Sequence, residues 1–411
     1  MIKISKREDC CGCGACEQIC SQQCISLSPD VEGFLYPIVN ENICIDCHRC
    51  EKACPILNPD PTRKPLKVLA AYNRDESIRE KSSSGGIFTI VAEEVLKQNG
   101  IVFGVKFDKD WNVVFDYTNS SEGLEAFRGS KYVQAFIGNA YSKVQEFLKE
   151  GMVVLFTGTP CQIAGLRKYL NKEYNNLLLM DIICEGVPSP KVWNKYLHEE
   201  IKNLSKKHYH IPEKEIVIQK ISFRNKRDGW KSFAFSLNLA YKDGSQKTTP
   251  LLEYINRNSP YLQAMFRFLD LRPICYECPF KSCKSHSDIT IADYWGIDTL
   301  HPEMYDNKGT SMVYIHTAKG DSFLPHKKIK FIETNYEEAF SINNIVSSVK
   351  KHPNRDKFYA KLERNKSVKK LLIHYTFPLK KEIFKYLLST LLSKSSYNKL
   401  QEWIWRQRRK K

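Results

Sequence analysis

A duplicated cysteine pattern near the start of this chain constrains it more than any other feature. Cys10, Cys13, Cys16 and Cys20 read C-x2-C-x2-C-x3-C, and Cys44, Cys47, Cys50 and Cys54 repeat the spacing, each 34 positions after its counterpart. Eight of fifteen cysteines therefore belong to two copies of one unit, which is an internal repeat rather than a scatter of thiols. The opening residues, MIKISKRED, lack the apolar segment of a secretory signal, and no run of about twenty apolar residues occurs. These features predict a cytoplasmic chain that does not span a membrane. Thiols stay reduced there, so metal or redox chemistry is the expected use of this much sulfur.

The spacing has a mechanical reason. A cubane cluster needs thiolates converging from several directions. Three cysteines two residues apart can wrap one face of it, while the fourth lies too far along the chain and ligates the neighbouring cluster, as in two-cluster ferredoxins. The pattern predicts one 4Fe–4S cluster on Cys10, Cys13, Cys16 and Cys54 and another on Cys44, Cys47, Cys50 and Cys20. Gly12 and Gly14 leave room for backbone N–H groups to approach sulfur. Structural zinc is the alternative, although zinc ribbons use two separated pairs. Ser21 stands where the ferredoxin run usually has proline, whereas Pro55 follows Cys54 as expected. Cys11 and Cys24 fall outside the register and are expected to be small buried residues.

The rest of the chain reads as alternating elements. Residues 1–57 form a small ferredoxin-like module, with two short strands in ISLSPDVEGFLYPIV, and the proline-rich NPDPTRKP is a linker. From residue 66 strands alternate with helices: KVLAAYN, then a helix from Ile87 stopped by Gly100, then IVFGVKF, NVVFDYT, a helix in AYSKVQEFLKEG, MVVLFTGTP, a helix in CQIAGLRKYL and NLLLMDIIC. A strand-rich stretch with a KDGS hairpin signal follows from about 213, then helical YLQAMFRFLDLRP and the strand DITIADYWGI. The fold class expected is α+β or α/β: the ferredoxin-like module joined to a mixed α/β domain, with a helical tail.

SSSGGIFT, RGSKYVQA, LFTGTPCQIAGL, ICEGVPSPKVW, ISFRNK, DGWK and DITIADYWGI occur in the order found in the coenzyme F420 hydrogenase/dehydrogenase beta-subunit family, which this chain resembles from about 66 to 320. The resemblance implies a beta-subunit N-terminal region at 66–150 and a flavin- and substrate-binding C-terminal region at 151–325. It further implies an oxidoreductase carrying iron–sulfur clusters and a flavin, FAD being the expected form. A ferredoxin or other redox carrier would be its electron partner, and a small-molecule or sugar-linked compound its substrate. Relatives with an attached ferredoxin module resemble proteins encoded beside bacterial surface-polysaccharide genes.

Two loops run into helices, Ser82-Ser83-Ser84-Gly85-Gly86 and Thr157-Gly158-Thr159-Pro160-Cys161. Helix N-termini offer unpaired N–H groups to a diphosphate, so Ser83, Ser84, Gly85, Gly86, Thr157, Gly158, Thr159, Pro160 and Cys161 are the flavin candidates. On composition alone SSSGG is an ordinary helix cap; the resemblance reverses that preference. Cys161, at a helix start where a thiolate is favoured, could line the flavin, ligate metal or simply pack. A third metal site, 4Fe–4S or zinc, would draw on Cys184, Cys275, Cys278 and Cys283. Glu185 replaces the histidine of many relatives. Arg128, Lys131 and Arg224 could bind an anionic substrate or flavin phosphate, and Trp230 and Trp295 could stack on a ring or serve the core. Asp293 could be a proton donor or a turn residue. No catalytic residue is assigned.

Net charge is +17, and 18 Lys and Arg against 4 Asp and Glu between residues 351 and 411 account for +14 of it. With Ile383, Leu387 and Leu391 four apart and Trp403 and Trp405 beside the closing cations, the 350–411 tail could lie as an amphipathic helix on the inner membrane face, or dock on the protein's own body. No nucleic-acid recognition motif accompanies the charge.

Overall fold

The structure is a computed structural model, and it describes residues 1–206, 213–241, 251–338 and 347–377. The hairpin expected at KDGS and the amphipathic helix expected beyond residue 377 lie outside the described residues. Among the described residues, no helix is long and apolar enough to cross a membrane.

An eight-stranded mixed sheet organises the body. Its strands are β3 (Lys67–Asn73), β4 (Ile101–Phe107), β5 (Val113–Thr118), β6 (Val154–Gly158), β7 (Leu177–Ile182), β11 (Ile289–Asp293), β12 (Ser311–Ile315) and β13 (Ile329–Glu333), in the order β13-β3-β12-β11-β7-β6-β4-β5. β4, β6, β7 and β11 run parallel at its centre, and antiparallel strands close both sides. The central strands read as apolar runs because both faces are covered. Val102, Leu155 and Leu178 face the helix Ile87–Leu96, while Phe103, Phe156 and Leu179 face the helices Ala140–Lys149 and Pro160–Leu170. The expected regions 66–150 and 151–325 share this one sheet, since β3 pairs with β12 and β13.

A second, antiparallel sheet of β8 (Ile216–Asn225), β9 (Ala234–Tyr241) and β10 (Leu251–Ile255) is ordered β10-β9-β8. Its aromatic core joins Phe223 and Phe235 to Trp193 and Tyr261, with the C-terminal helices Arg355–Leu362 and Val368–Thr376 packed beneath.

The N-terminal module holds the hairpin β1 (Ile25–Pro29) and β2 (Leu35–Val39), turned at Gly33 with φ of +89°. It is built into the body. Cys11, Cys13 and Ala15 share a core with Tyr141, Ile163 and Leu166. Gln18 Oε1 accepts from the Tyr141 and Ser142 amides at 3.0 and 3.2 Å. Glu32 is gripped by both ends of the buried Arg355 guanidinium at 3.1 and 2.5 Å. The proline-rich linker is pinned as well: Asp60 pairs with Arg167 at 2.6 Å and Lys168 at 2.8 Å.

Candidate redox centre and cofactor cleft

The thiols of the module lie close enough to act on one another electrostatically. Burial pushes the Cys16 thiol up, and the neighbours adding to that rise are Cys10, Cys54 and Cys50. Burial also raises Cys54, which feels Cys10 and Cys50, and Cys13 feels Cys16 and Cys54. The last cysteine of the second run therefore sits among the first three of the first. Backbone amides point at sulfur: Gly12 donates to Cys10 Sγ at 3.4 Å and Ile2 to Cys50 Sγ at 3.3 Å. Gly12 must be glycine, since at φ +71° a Cβ would come within 2.7 Å of Arg272 Nη1. Cys47 is exposed and Cys44 half-buried, whereas Cys50 and Cys54 are buried, so the second run starts toward solvent and ends inside. Cys24 is buried as expected, with Sγ 3.3 Å from Cys20 Sγ.

Cys11 is also buried, and it touches more than its own module. It interacts with Cys13 on one side and Cys161 on the other. Gly165, one helical turn after Cys161, lets the module approach, because a Cβ there would meet Cys13 Sγ at 3.0 Å. Cys11, Cys161, Cys184, Cys275 and Cys278 line one small cavity. Burial pushes Cys184 well up, and Cys275, Cys161 and Cys278 bear on it electrostatically. Cys275 is pushed up to about 12 and Cys278 to about 11, both by burial, and both feel Cys161. Cys161 itself is raised by its contact with Cys11 and by burial, so packing overrides the thiolate preference of its helix start.

Three of the four cysteines expected for a third site thus come together, with Cys161 beside them. Cys283 borders the cavity but packs among Val68, Trp230, Tyr294 and Met312, and the charges that bear on it are Asp181 and Arg63 rather than another thiol. Buried neutral thiols suit metal binding, since a bound cation takes the place of their protons. Among the described residues no three His, Cys, Asp or Glu side chains converge as a single-ion site would need.

A larger cavity of about 410 Å³ opens at the C-terminal ends of β6, β7 and β11, between the large sheet and the three-stranded one. Such strand ends are where open α/β sheets place ligands, and the volume suits a cofactor. Ser82, Ser83, Ser84 and Gly86 line it, as do Thr157, Gly158 and Thr159; Pro160 and Cys161 border the thiol cavity instead. Several of the hydroxyls are already engaged. Ser84 Oγ donates to Thr310 O at 3.0 Å, Ser83 Oγ accepts from the Ser130 amide at 2.8 Å, and Thr159 forms a capping box with Gln162. The Gly85 amide donates to Ser311 Oγ at 3.0 Å. These loops are therefore held by hydrogen bonds of their own.

The other candidates divide. Arg128 pairs with Glu125 at 2.5 Å, and Lys131 Nζ reaches the carbonyls of Phe127, Arg128 and Gly129 at 3.3–3.4 Å, yet both line the cleft. Trp230 is a core residue, fully buried. Its indole stacks on Trp295 at 4.7 Å between centroids, and only Trp295 reaches the cleft. Asp293 accepts from Trp230 Nε1 at 3.0 Å and pairs with Arg224. Cys184, Glu185, Gly186 and Val187 line both cavities, so one short segment separates the thiols from the cleft. The sequence reading missed Arg272; its place just before the CYEC pair was the available hint.

Fold and site together define a redox-type α/β protein, with thiol groups leading from a cysteine-rich module to a cofactor-sized cleft. The chain belongs to the coenzyme F420 hydrogenase/dehydrogenase beta-subunit family: residues 68–140 match the beta-subunit N-terminal model and residues 151–339 the C-terminal model. This is an oxidoreductase family, and the cysteine-rich N-terminus fits iron–sulfur clusters. Among proteins of curated function none is significantly similar. Among solved structures, a chain of the xenon-derivatised F420-reducing NiFe hydrogenase complex from Methanosarcina barkeri is 17% identical with a TM-score of 0.42, over 77% of this chain and 92% of that one.

Proposed function

We propose that this protein is an iron–sulfur flavoprotein oxidoreductase that moves electrons between a ferredoxin-type carrier and an organic substrate. One observation carries the reading: the 184–187 segment forms a wall of both the thiol cavity and the large cleft. Iron–sulfur clusters exchange single electrons, and a flavin can exchange them singly or in pairs. Cys44, Cys47, Cys50 and Cys20 would hold the cluster facing the carrier. Cys10, Cys13, Cys16 and Cys54 would hold the inner one, and Cys161, Cys184, Cys275 and Cys278 a third. The Ser82–Gly86 and Thr157–Thr159 loops, each leading into a helix N-terminus, would receive the phosphates of FAD. Residues 1–57 then form the cluster module, with 66–325 as the flavin and substrate body.

Anaerobic purification or reconstitution, followed by iron, acid-labile sulfide and flavin quantification, tests this directly. Sulfide and iron for more than one cluster, with flavin released on denaturation, is the expected result. Reconstituted protein with neither sulfide nor flavin would overturn the reading.

A further inference from the structure

The cleft contains a buried cation whose hydrogen-bonding capacity is only partly used. Arg224 lies near the end of β8, where the pairing with β9 slips between Ser222 and Asn225. Irregularities of this kind re-aim side chains. The Arg224 side chain is 3% exposed and lines the cleft. Nη1 pairs with Asp293, but Nε and Nη2 have no hydrogen-bond partner. Phe233 and Trp295 stand 4.5 and 5.4 Å from the guanidinium carbon, and besides Asp293 the Tyr132 hydroxyl is a polar neighbour that bears on the charge.

A buried guanidinium keeps five donors in a fixed fork, and leaving donors unmet in apolar surroundings is costly. The group that meets two of them best is an oxyanion, through charge-assisted bonds. Arg128 and Arg224 line the cleft with Glu185 and Asp293, and Lys131, which burial lowers to about 7, can add a proton and its charge when an anion enters. The Trp295 ring, 36% exposed and backed by Trp230, supplies a flat apolar wall beside the fork. The phosphate-binding loops proposed above belong to the large sheet, whereas Arg224 belongs to the three-stranded one.

We infer that Arg224 and Trp295 form a substrate subsite for an organic anion, a carboxylate or phosphate ester carried on an apolar or planar body. The inference rests on the proposed reading of the cleft as the place of redox chemistry and names the substrate class for it. Asp293 is a positioning residue that fixes the guanidinium through one edge and leaves the other edge to the ligand.

The test uses the full chain, titrated with benzoate, phenyl phosphate and neutral benzyl alcohol by calorimetry and tryptophan fluorescence, with and without saturating FAD. Flavin content is measured in parallel. At least one anion should bind ten-fold or more tightly than benzyl alcohol, and the better anion tells carboxylate from phosphate. Arg224→Gln should lose ten-fold or more of that affinity, and Arg224→Lys should recover part of it. Wild-type protein binding neither anion better than the alcohol overturns the subsite without recourse to any variant, as does folded R224Q that binds as wild type does. Displacement of the anion by FAD also overturns it, making Arg224 a flavin-phosphate contact. Anion binding in protein that takes up no flavin sustains the subsite and sinks the flavin reading instead.

Discussion

Arg272 and Cys10 are joined twice across the boundary between the N-terminal module and the body: Nε donates to Cys10 O at 2.8 Å and Nη2 to Cys10 Sγ at 3.4 Å. The same guanidinium donates to Leu35 O at 2.8 Å and Gln134 Oε1 at 3.1 Å, and the residue is fully buried. A cation held against a ligand sulfur favours the more reduced, more negative state of a cluster, because charge and hydrogen bonds at sulfur set its potential. Arg272→Gln should therefore shift the midpoint of the inner cluster to more negative values, with Arg272→Lys in between. Redox titration followed by electron paramagnetic resonance reads the shift; an unchanged midpoint in a loaded, folded variant refutes it. Leaving Cys10 O and Leu35 O unpaired should also cost about 1–3 kcal/mol of stability.

The crossed wiring is separable from the uncrossed one by pairs of substitutions. Cys13 and Cys54 sit in one thiol group, with Cys50 in the neighbouring run. Cys13→Ala with Cys54→Ala should cost about four irons, one cluster's complement, whereas Cys13→Ala with Cys50→Ala should cost about eight. Equal losses from the two pairs mean that each run serves its own cluster.

At the body's own thiol cavity, Cys161 and Cys283 make opposite predictions. Cys161 faces Cys184, Cys275 and Cys278, while Cys283 packs against aromatic and apolar side chains. Cys161→Ala should remove iron from the reconstituted protein, and Cys283→Ala should leave the iron content unchanged. The reverse outcome returns the ligand set to the sequence-based expectation.

Asp181 supplies a pH test. It is buried beside the thiol cavity, accepting from Ser285 Oγ at 2.5 Å, Ser287 Oγ at 2.9 Å and Thr290. Burial lifts its carboxyl to about 6, against the pull of those hydroxyls. A carboxyl raised on folding stabilises the native state at low pH and loses that contribution as pH rises through the folded value. The melting temperature of Asp181→Asn relative to wild type should therefore become more favourable between pH 4 and pH 7. A difference that stays flat over that range rules out the raised carboxyl.

The sequence by itself determined whatever depends on neighbours along the chain. The spacing of the two quartets, the alternation of strand and helix from residue 66, and the glycine- and hydroxyl-rich loops at helix starts were all legible, because local geometry dictates them. So was the Cys275–Cys278 pair. Tertiary structure decided what joins strands distant in sequence. Cys161 follows β6 and Cys184 follows β7, and they meet only because those strands are parallel neighbours in the sheet. Arg272 reaches Cys10 across 262 positions and Arg224 reaches Asp293 across 69. No periodicity records such pairings, since each is fixed by which strand ends the sheet order brings together and which side chains burial forces to find a partner.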